Sequence, residues 1–498
     1  MPAPRPSRLL AALLLTPLLA GCFSSPSGEA AGGPADGARL RVALAFPPAE
    51  RLSPYGADAT ILSRLGVVEG LTALDGNGAA APALASSWSR QGARGWQFTL
   101  REATFHDGSE VTARAVAASL TRAARARPAP AALSGVTLTA EAVDRHRVRV
   151  TTGRPDPILP LRLSSPSLAV LSAEAYRDED RVDPAGTGTG PFVLKDVTGT
   201  SSATLDRYDG YWGGRAQAAG IDVRFVPDGT ARTNALRSGA ADIAEAVPVA
   251  QAATLPRGTR RETATTRTTS LLLNFRSGPF RDAGLRSAAR AAVDTTALAE
   301  GVYEGHADPG KGIYGPAVTW AEGRHREPAG RAPAKRPDGA RVTLATYDNR
   351  PELPEVAQVL KQQLERAGFR VELVVREYSR LEADALAGRF DAFVLARNSL
   401  VDTGDPVAVL AGDHTCAGGY NLARLCAPRV DRAVAAAERA VGTAERREAA
   451  LRAEAEILGT DSVVPLVHQR VVTGVGRTVR GVLLDPYERT LIGTGTRR

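Results

Sequence analysis

The chain has few of the residues on which motif-based function assignments rest. Among 498 residues there are one methionine, three cysteines (Cys22, Cys416, Cys426) and only 5% aromatic side chains. Lysine occurs at four positions (Lys195, Lys311, Lys335, Lys361), so nearly all of the 62 basic residues are arginine. The formal net charge is +8, but the arginines are scattered among 54 acidic residues. They form no basic stripe with interleaved aromatics, which argues against a nucleic-acid partner. No apolar run reaches the roughly 20 residues that span a bilayer. There is no G-x-S-x-G elbow, H-E-x-x-H, Walker loop or helix-opening G-x-G-x-x-G. The six histidines (His106, His146, His306, His325, His414, His468) include no pair at i, i+3 or i, i+4. Nothing here supports an enzyme, a cofactor or a metal centre, and no catalytic residue is assigned. What remains is 43% hydrophobic content in a chain long enough for two or three domains.

Arg5 and Arg8 precede an apolar stretch at 9–20, too short for a membrane span but suited to a secretory signal. It ends in Leu19-Ala20-Gly21-Cys22, which resembles the bacterial lipobox. That resemblance implies a signal peptide at 1–21 and diacylglyceryl modification of Cys22, and two acyl chains give a stable anchor. The alternative is an ordinary signal with a chance cysteine. Residues 22–37, rich in Ser, Gly, Ala and Pro, read as a flexible tether.

The stretch 186–244 organises the folded part. Gly186, Gly188 and Gly190 read as a flexible turn before a short apolar strand at 192–194. Alternating residues at 203–208 and 221–226 predict two more strands, and Thr230 is the expected cap of a helix ending at Gly239. Further on, a strand at 341–346 precedes a helix whose stripe is Val356, Val359, Leu360, Leu364 and Ala367. Phe369, Val371, Leu373 and Val375 then share one face of a strand, a short helix follows, and 391–396 is a third strand. This β-α-β-α-β order implies a parallel sheet with helices on both faces. A long alanine-rich helical region is expected at 430–458, and an exposed loop at 322–340. His106-Asp107 invites a metal or acid–base reading, but no second ligand stands at metal spacing, so a tight turn near the surface is expected.

G-T-G-P-F at 188–192, Y-D-G-Y-W-G-G at 208–214 and F-V-P-D-G-T-A-R-x-x-A-L-R-S-G-x-x-D-I-A at 225–244 resemble extracellular solute-binding family 5. Those are the peptide- and nickel-binding receptors of ABC importers. The resemblance implies an α/β fold: the two-lobed type II periplasmic-binding-protein (Venus-flytrap) architecture, with mixed sheets flanked by helices. It implies a first lobe at 38–270 with an inserted subdomain at about 56–179, a second lobe at 271–470 and a return segment at 471–498. It also implies a monomeric receptor that delivers a peptide ligand from an inter-lobe cleft to membrane permease subunits. Within the class the rival is a nickel or metal-chelate receptor, and outside it a regulatory or chaperone-like lipoprotein.

The candidate ligand residues come from the same likeness. Val401-Asp402-Thr403-Gly404-Asp405-Pro406 resembles the G-D-N-G-D-P loop of dipeptide receptors, whose first aspartate pairs with the ligand's α-ammonium group; that position is Asp402. Asp405 is read as part of the turn before Pro406. Arg350, in Asn349-Arg350-Pro351, stands where those receptors carry S-R-P, whose arginine grips the ligand carboxylate. The plainer alternatives are a solvated loop carboxylate for Asp402 and a surface arginine for Arg350. Two cysteines as close as Cys416 and Cys426 should pair in an exported protein, and dipeptide receptors carry a comparable bridge after the loop.

Overall fold

The computed structural model describes residues 37–498 apart from 57, 128, 134, 179 and 180. The expected signal, Cys22 and the tether up to residue 36 lie outside the described residues. One 11-stranded mixed sheet runs through the molecule. From one edge its order is Arg370–Arg376, Arg341–Tyr347, Ala392–Asn398, Arg260–Leu273, Val463–Val475, Ile243–Ala244, Arg39–Leu44, Gly220–Phe225, Ser202–Arg207 and Phe192–Thr198, with Ala307–Pro309 pairing off this path onto Val463–Val475.

The two long central strands divide the sheet. Arg260–Leu273 pairs with Ala392–Asn398 only from Arg267 onward, and Val463–Val475 reaches Ile243–Ala244 only at Gly474 and Val475. The two strands are antiparallel to each other, and their ladder loses register between Ala264 and Thr268 and again between Thr269 and Ser270. Irregular pairing of this kind weakens the ladder locally and bends it, and here it separates the pairing partners of the two lobes.

The buried side chains follow the same division. One cluster holds Leu271, Leu344, Leu360, Val394, Leu410 and Leu466, a second holds Val42, Leu62, Phe192, Ile221 and Val223, and a third holds Leu84, Phe98, Val116, Leu120 and Val148. The third belongs to a four-stranded antiparallel sheet, ordered Ala85–Gln91, Gly95–Leu100, Arg147–Thr152, Leu138–Ala142, and to the helix Ala113–Arg125. Thr112 caps that helix, its side chain accepting from the Ala115 amide at 3.3 Å.

In the second lobe, Arg341–Tyr347 pairs in parallel with both Arg370–Arg376 and Ala392–Asn398, as the sequence pattern predicts. The helix Glu352–Arg366 buries Leu353, Val356, Ala357, Leu360 and Leu364. The strand after it is an edge, so Phe369 and Val371 are buried while Val375 is exposed.

Several local expectations need correcting. The helical region near the C-terminus is two helices, Pro428–Arg439 and Thr443–Leu458, broken at Val441-Gly442. Asp228, not Thr230, caps the helix Gly229–Arg237, accepting from the Ala231 amide at 2.7 Å. Gly188 and Gly190 are close approaches instead of flexible joints: a Cβ on either would lie 2.2 Å from the carbonyl oxygen of Val67 or Gly66. The 322–340 segment is the exposed loop expected, and it is tied down by His325 to Glu454, Arg331 to Asp461 and Lys335 to Asp282. His106 lies in a turn beside exposed residues, as expected. It is half-buried against Tyr208, with its Nε2 2.9 Å from the Gly190 carbonyl oxygen, and burial lowers its pKa.

Candidate functional site

Arg350 and Asp402 follow the carboxyl ends of neighbouring parallel strands. Arg341–Tyr347 leads through Asp348 and Asn349 to Arg350, and Ala392–Asn398 leads through Ser399 to Asp402. Side chains at such strand ends converge outside the sheet, where α/β folds hold their ligands. Across from them, the first-lobe strand Arg39–Leu44 ends just before Phe46, whose ring lies 5.8 Å from the Arg350 guanidinium carbon. That contact places Arg350 between the lobes.

The side chain of Arg350 is only 16% exposed, and the carboxylate paired with it is Glu352, at 3.7 Å. It donates no hydrogen bond among the described residues. Burial acts to lower its pKa, but Glu352, Tyr347 and Glu488 outweigh that effect and hold the group above its ordinary value. A charged fork therefore stands between the lobes without a protein hydrogen-bond acceptor among the described residues.

Asp402 is 41% exposed and lies 3.6 Å from the Arg397 guanidinium. Arg397 is bound more closely elsewhere. Its Nε donates to Asp413 at 3.0 Å, and it lies 4.9 Å over the ring of Tyr420. Burial would lower the pKa of Arg397, but Asp413 and Asp402 raise it overall. Two carboxylates thus share one cation, and the more exposed of them is Asp402. Tyr420 itself sits in the loop closed by a disulfide between Cys416 and Cys426, and its hydroxyl meets that of Tyr378.

Asp405, three residues beyond Asp402, is turned inward. It caps the helix Pro406–His414 by accepting from the Ala408 amide and takes a two-pronged bond from Arg446 at 2.6 and 2.7 Å.

Sequence reasoning missed three other groups between the lobes. Glu488 accepts from Arg267 at 3.1 and 3.0 Å and from Asn398 at 3.1 Å. Burial pushes its pKa up, but Arg267, Arg350 and Arg64 together hold it down at about 2. Arg489, beside it, is buried. Phe46 is 43% exposed, and its ring faces Arg350. The stretch Asp485-Pro486-Tyr487-Glu488-Arg489 carries no periodicity or family motif, so nothing in it announces a place between the lobes. Arg397 lies within the reach of the loop resemblance but has no counterpart in the pattern.

Among the described residues the only cluster of potential metal ligands is Cys416, Cys426 and Asp431, and the two sulfurs are bonded to each other. His414 and His468 are buried, which lowers each pKa to about 4. No described helix is long and apolar enough to cross a membrane.

The two lobes share one mixed sheet, and charged side chains stand at the strand ends between them. The chain matches the model of the bacterial extracellular solute-binding proteins, family 5, over residues 79–421, and it belongs to that family of ABC-importer receptors, which act outside the cytoplasm. It is 26% identical over 375 residues to the probable di/tripeptide-binding protein 5 of Pseudomonas aeruginosa, covering 69% of each chain. It is 24% identical over 370 residues to the nickel-binding protein NikA of Staphylococcus aureus, covering 72% of each. Its fold matches the dipeptide-binding protein of a Pseudoalteromonas species in complex with Met-Leu, with a TM-score of 0.79 at 19% identity, over 92% of this chain and 99% of that one.

Proposed function

We propose that the protein captures di- and oligopeptides between its lobes and passes them to a membrane permease. The observation that carries this reading is Arg350: a charged side chain, 16% exposed, beside Phe46 and without a hydrogen-bond acceptor among the described residues. A planar fork in that state suits a carboxylate, and the C-terminus of a short peptide supplies one. Asp402 is the complement. Its carboxylate and that of Asp413 share Arg397, and the surplus negative charge suits an α-ammonium group. Main-chain hydrogen bonds along the peptide would be indifferent to side-chain identity. The relatives named for di/tripeptide binding and the fold match holding Met-Leu support this choice of solute.

Calorimetric titration of the protein with a library of dipeptides and tetrapeptides tests it, with a nickel–histidine chelate in parallel. Asp402→Asn is expected to weaken peptide binding by about 2–5 kcal/mol, or 30- to several-thousand-fold. Unchanged peptide affinity in that variant removes Asp402 from the site. Binding of the chelate and of no peptide transfers the protein to the metal-chelate reading.

The receptor is further inferred to be a monomer held at the outer face of the membrane by lipid on Cys22, because Leu19-Ala20-Gly21-Cys22 has the lipobox form. Cys22→Ala is expected to leave the membrane fraction or remain unprocessed. Continued fractionation as a lipid-modified protein defeats the assignment.

A further inference from the structure

Arg489 is 4% exposed and forms no ion pair among the described residues. Its guanidinium is satisfied by neutral oxygens instead. Nε donates to the Val401 carbonyl at 2.8 Å and one terminal nitrogen to the Leu400 carbonyl at 3.4 Å. The other terminal nitrogen donates to the carbonyl and hydroxyl of Ser164, at 3.3 and 3.0 Å. Leu400 and Val401 belong to the second lobe and immediately precede Asp402. Ser164 belongs to the inserted subdomain, among the side chains packed with Leu163 and Leu168. One cation therefore holds both sides of the cleft.

The backbone around Arg489 explains why it can. Tyr487 packs in the second-lobe core, whereas Leu491 and Ile492 pack in the first-lobe core. The chain changes lobes within those few residues. Glu488 has φ +58°, a left-handed conformation that is rare away from glycine. Arg489 is fixed at both backbone atoms: its amide donates to Asp485 at 2.7 Å, and its carbonyl accepts from the Ser63 hydroxyl at 2.7 Å. The guanidinium is thus presented from a rigid crossing point. Gly404 has φ +72°, and a Cβ there would lie 2.6 Å from the Leu74 side chain, so the Asp402 loop rests directly on the first lobe.

Withdrawing a cation from water without a counter-ion is costly unless hydrogen bonds replace its hydration. Here those bonds are complete only while the lobes are together. Moving them apart strips Arg489 of the acceptors on one side and leaves Leu400 and Val401 without their shared donor.

We propose that Arg489 is a positioning residue that couples lobe closure to the order of the Asp402 loop, holding that loop in its ligand-facing form only when the lobes are shut. The consequence for ligand capture rests on the peptide reading above; the coupling itself does not.

Amide hydrogen exchange on the full ligand-free chain tests the coupling. Arg489→Met is expected to raise exchange about tenfold or more at both 400–404 and 163–166, with the core strand Ala392–Asn398 keeping its protection. Arg489→Lys, which retains the charge but not the fork, is expected to raise exchange in the same two segments by a smaller factor, and it carries the test if the methionine variant does not fold. Acceleration confined to one of the two segments, or absent from both, overturns the proposal. Calorimetry with the best-binding dipeptide adds the functional readout. In the Asp402→Asn background, Arg489→Lys is expected to cost little further affinity, because both act through one loop. Fully additive losses overturn the positioning role. Absence of peptide binding in the unaltered protein counts against the peptide reading alone, since the exchange measurement still decides the coupling.

Discussion

Arg446 and Arg350 are both withdrawn from solvent in the second lobe, with 9% and 16% of their side chains exposed. Their surroundings are opposite. Arg446 grips Asp405 with two parallel bonds and donates to the carbonyls of Ala437, Glu438 and Ala440 at 3.0, 2.9 and 3.2 Å. Arg350 has an aromatic ring on one side and a carboxylate too distant for a hydrogen bond, and its side chain donates to no acceptor among the described residues. The two aspartates of the 401–406 loop divide in the same way. Asp405 is enclosed and saturated, whereas Asp402 is open and shares its cation. A buried charge with every bond made holds the fold together; a buried charge with bonds to spare is available to a ligand.

The strongest way to break this comparison is Arg446→Met. Removing one partner of a buried pair leaves the Asp405 carboxylate enclosed without compensation. The expected loss is about 3–5 kcal/mol of stability in chemical denaturation, with dipeptide affinity preserved in the folded fraction. A variant of normal stability and poor affinity would show that the two corners are not separate.

A pH series probes buried groups of a different kind, whose ring nitrogens are enclosed without all their hydrogen bonds. The buried His414 and His468 have folded pKa values lowered to about 4, so the unfolded chain takes up protons first as the solution is acidified. Their contribution is fully present above about pH 6.5 and lost as pH falls towards 4, by up to about 3 kcal/mol each. His325 opposes this, because Glu454 raises its pKa; its contribution is present at low pH and lost as pH rises. Glu488, held at about 2, adds stability that is fully present above the ordinary carboxylate range and is lost as pH falls through that range towards 2. The net expectation is weaker folding at pH 5 than at pH 7, read as a lower denaturation midpoint. A flat profile across that interval excludes neutral burial of the histidine pair.

The smallest effect is expected at Arg350→Lys. Stability should stay within about 0.5 kcal/mol, because no hydrogen bond within the protein is lost. Dipeptide affinity should fall by about 1–2 kcal/mol, because an ammonium cannot reproduce a two-pronged bond. Tetrapeptides should be nearly unaffected if their C-terminus lies beyond the site. Equal loss for all lengths would place Arg350 against the peptide backbone.

Local chemistry determined much of this protein before folding is considered. The helix Glu352–Arg366 and the parallel strands beside it are legible from apolar spacing, because one buried face imposes one period. The loop at 401–406, with Asp402 and Asp405, is legible as a turn between a strand and a helix. So are the charges of Arg350 and Asp402, although not their unmet bonds.

Other features exist only through distant partners. Arg260–Leu273 begins R-R-E-T-A-T-T-R-T-T, with no apolar alternation, and becomes a strand because Val463–Val475 lies beside it. Thr265 and Thr268 are buried there and hydrogen-bonded to the Gln469 and Ile313 carbonyls. Phe46, Glu488 and Arg489 are ordinary residues in unpatterned segments. Tertiary structure alone decides that they meet between the lobes, because a charge without local partners takes its role from whatever the fold brings within hydrogen-bonding distance.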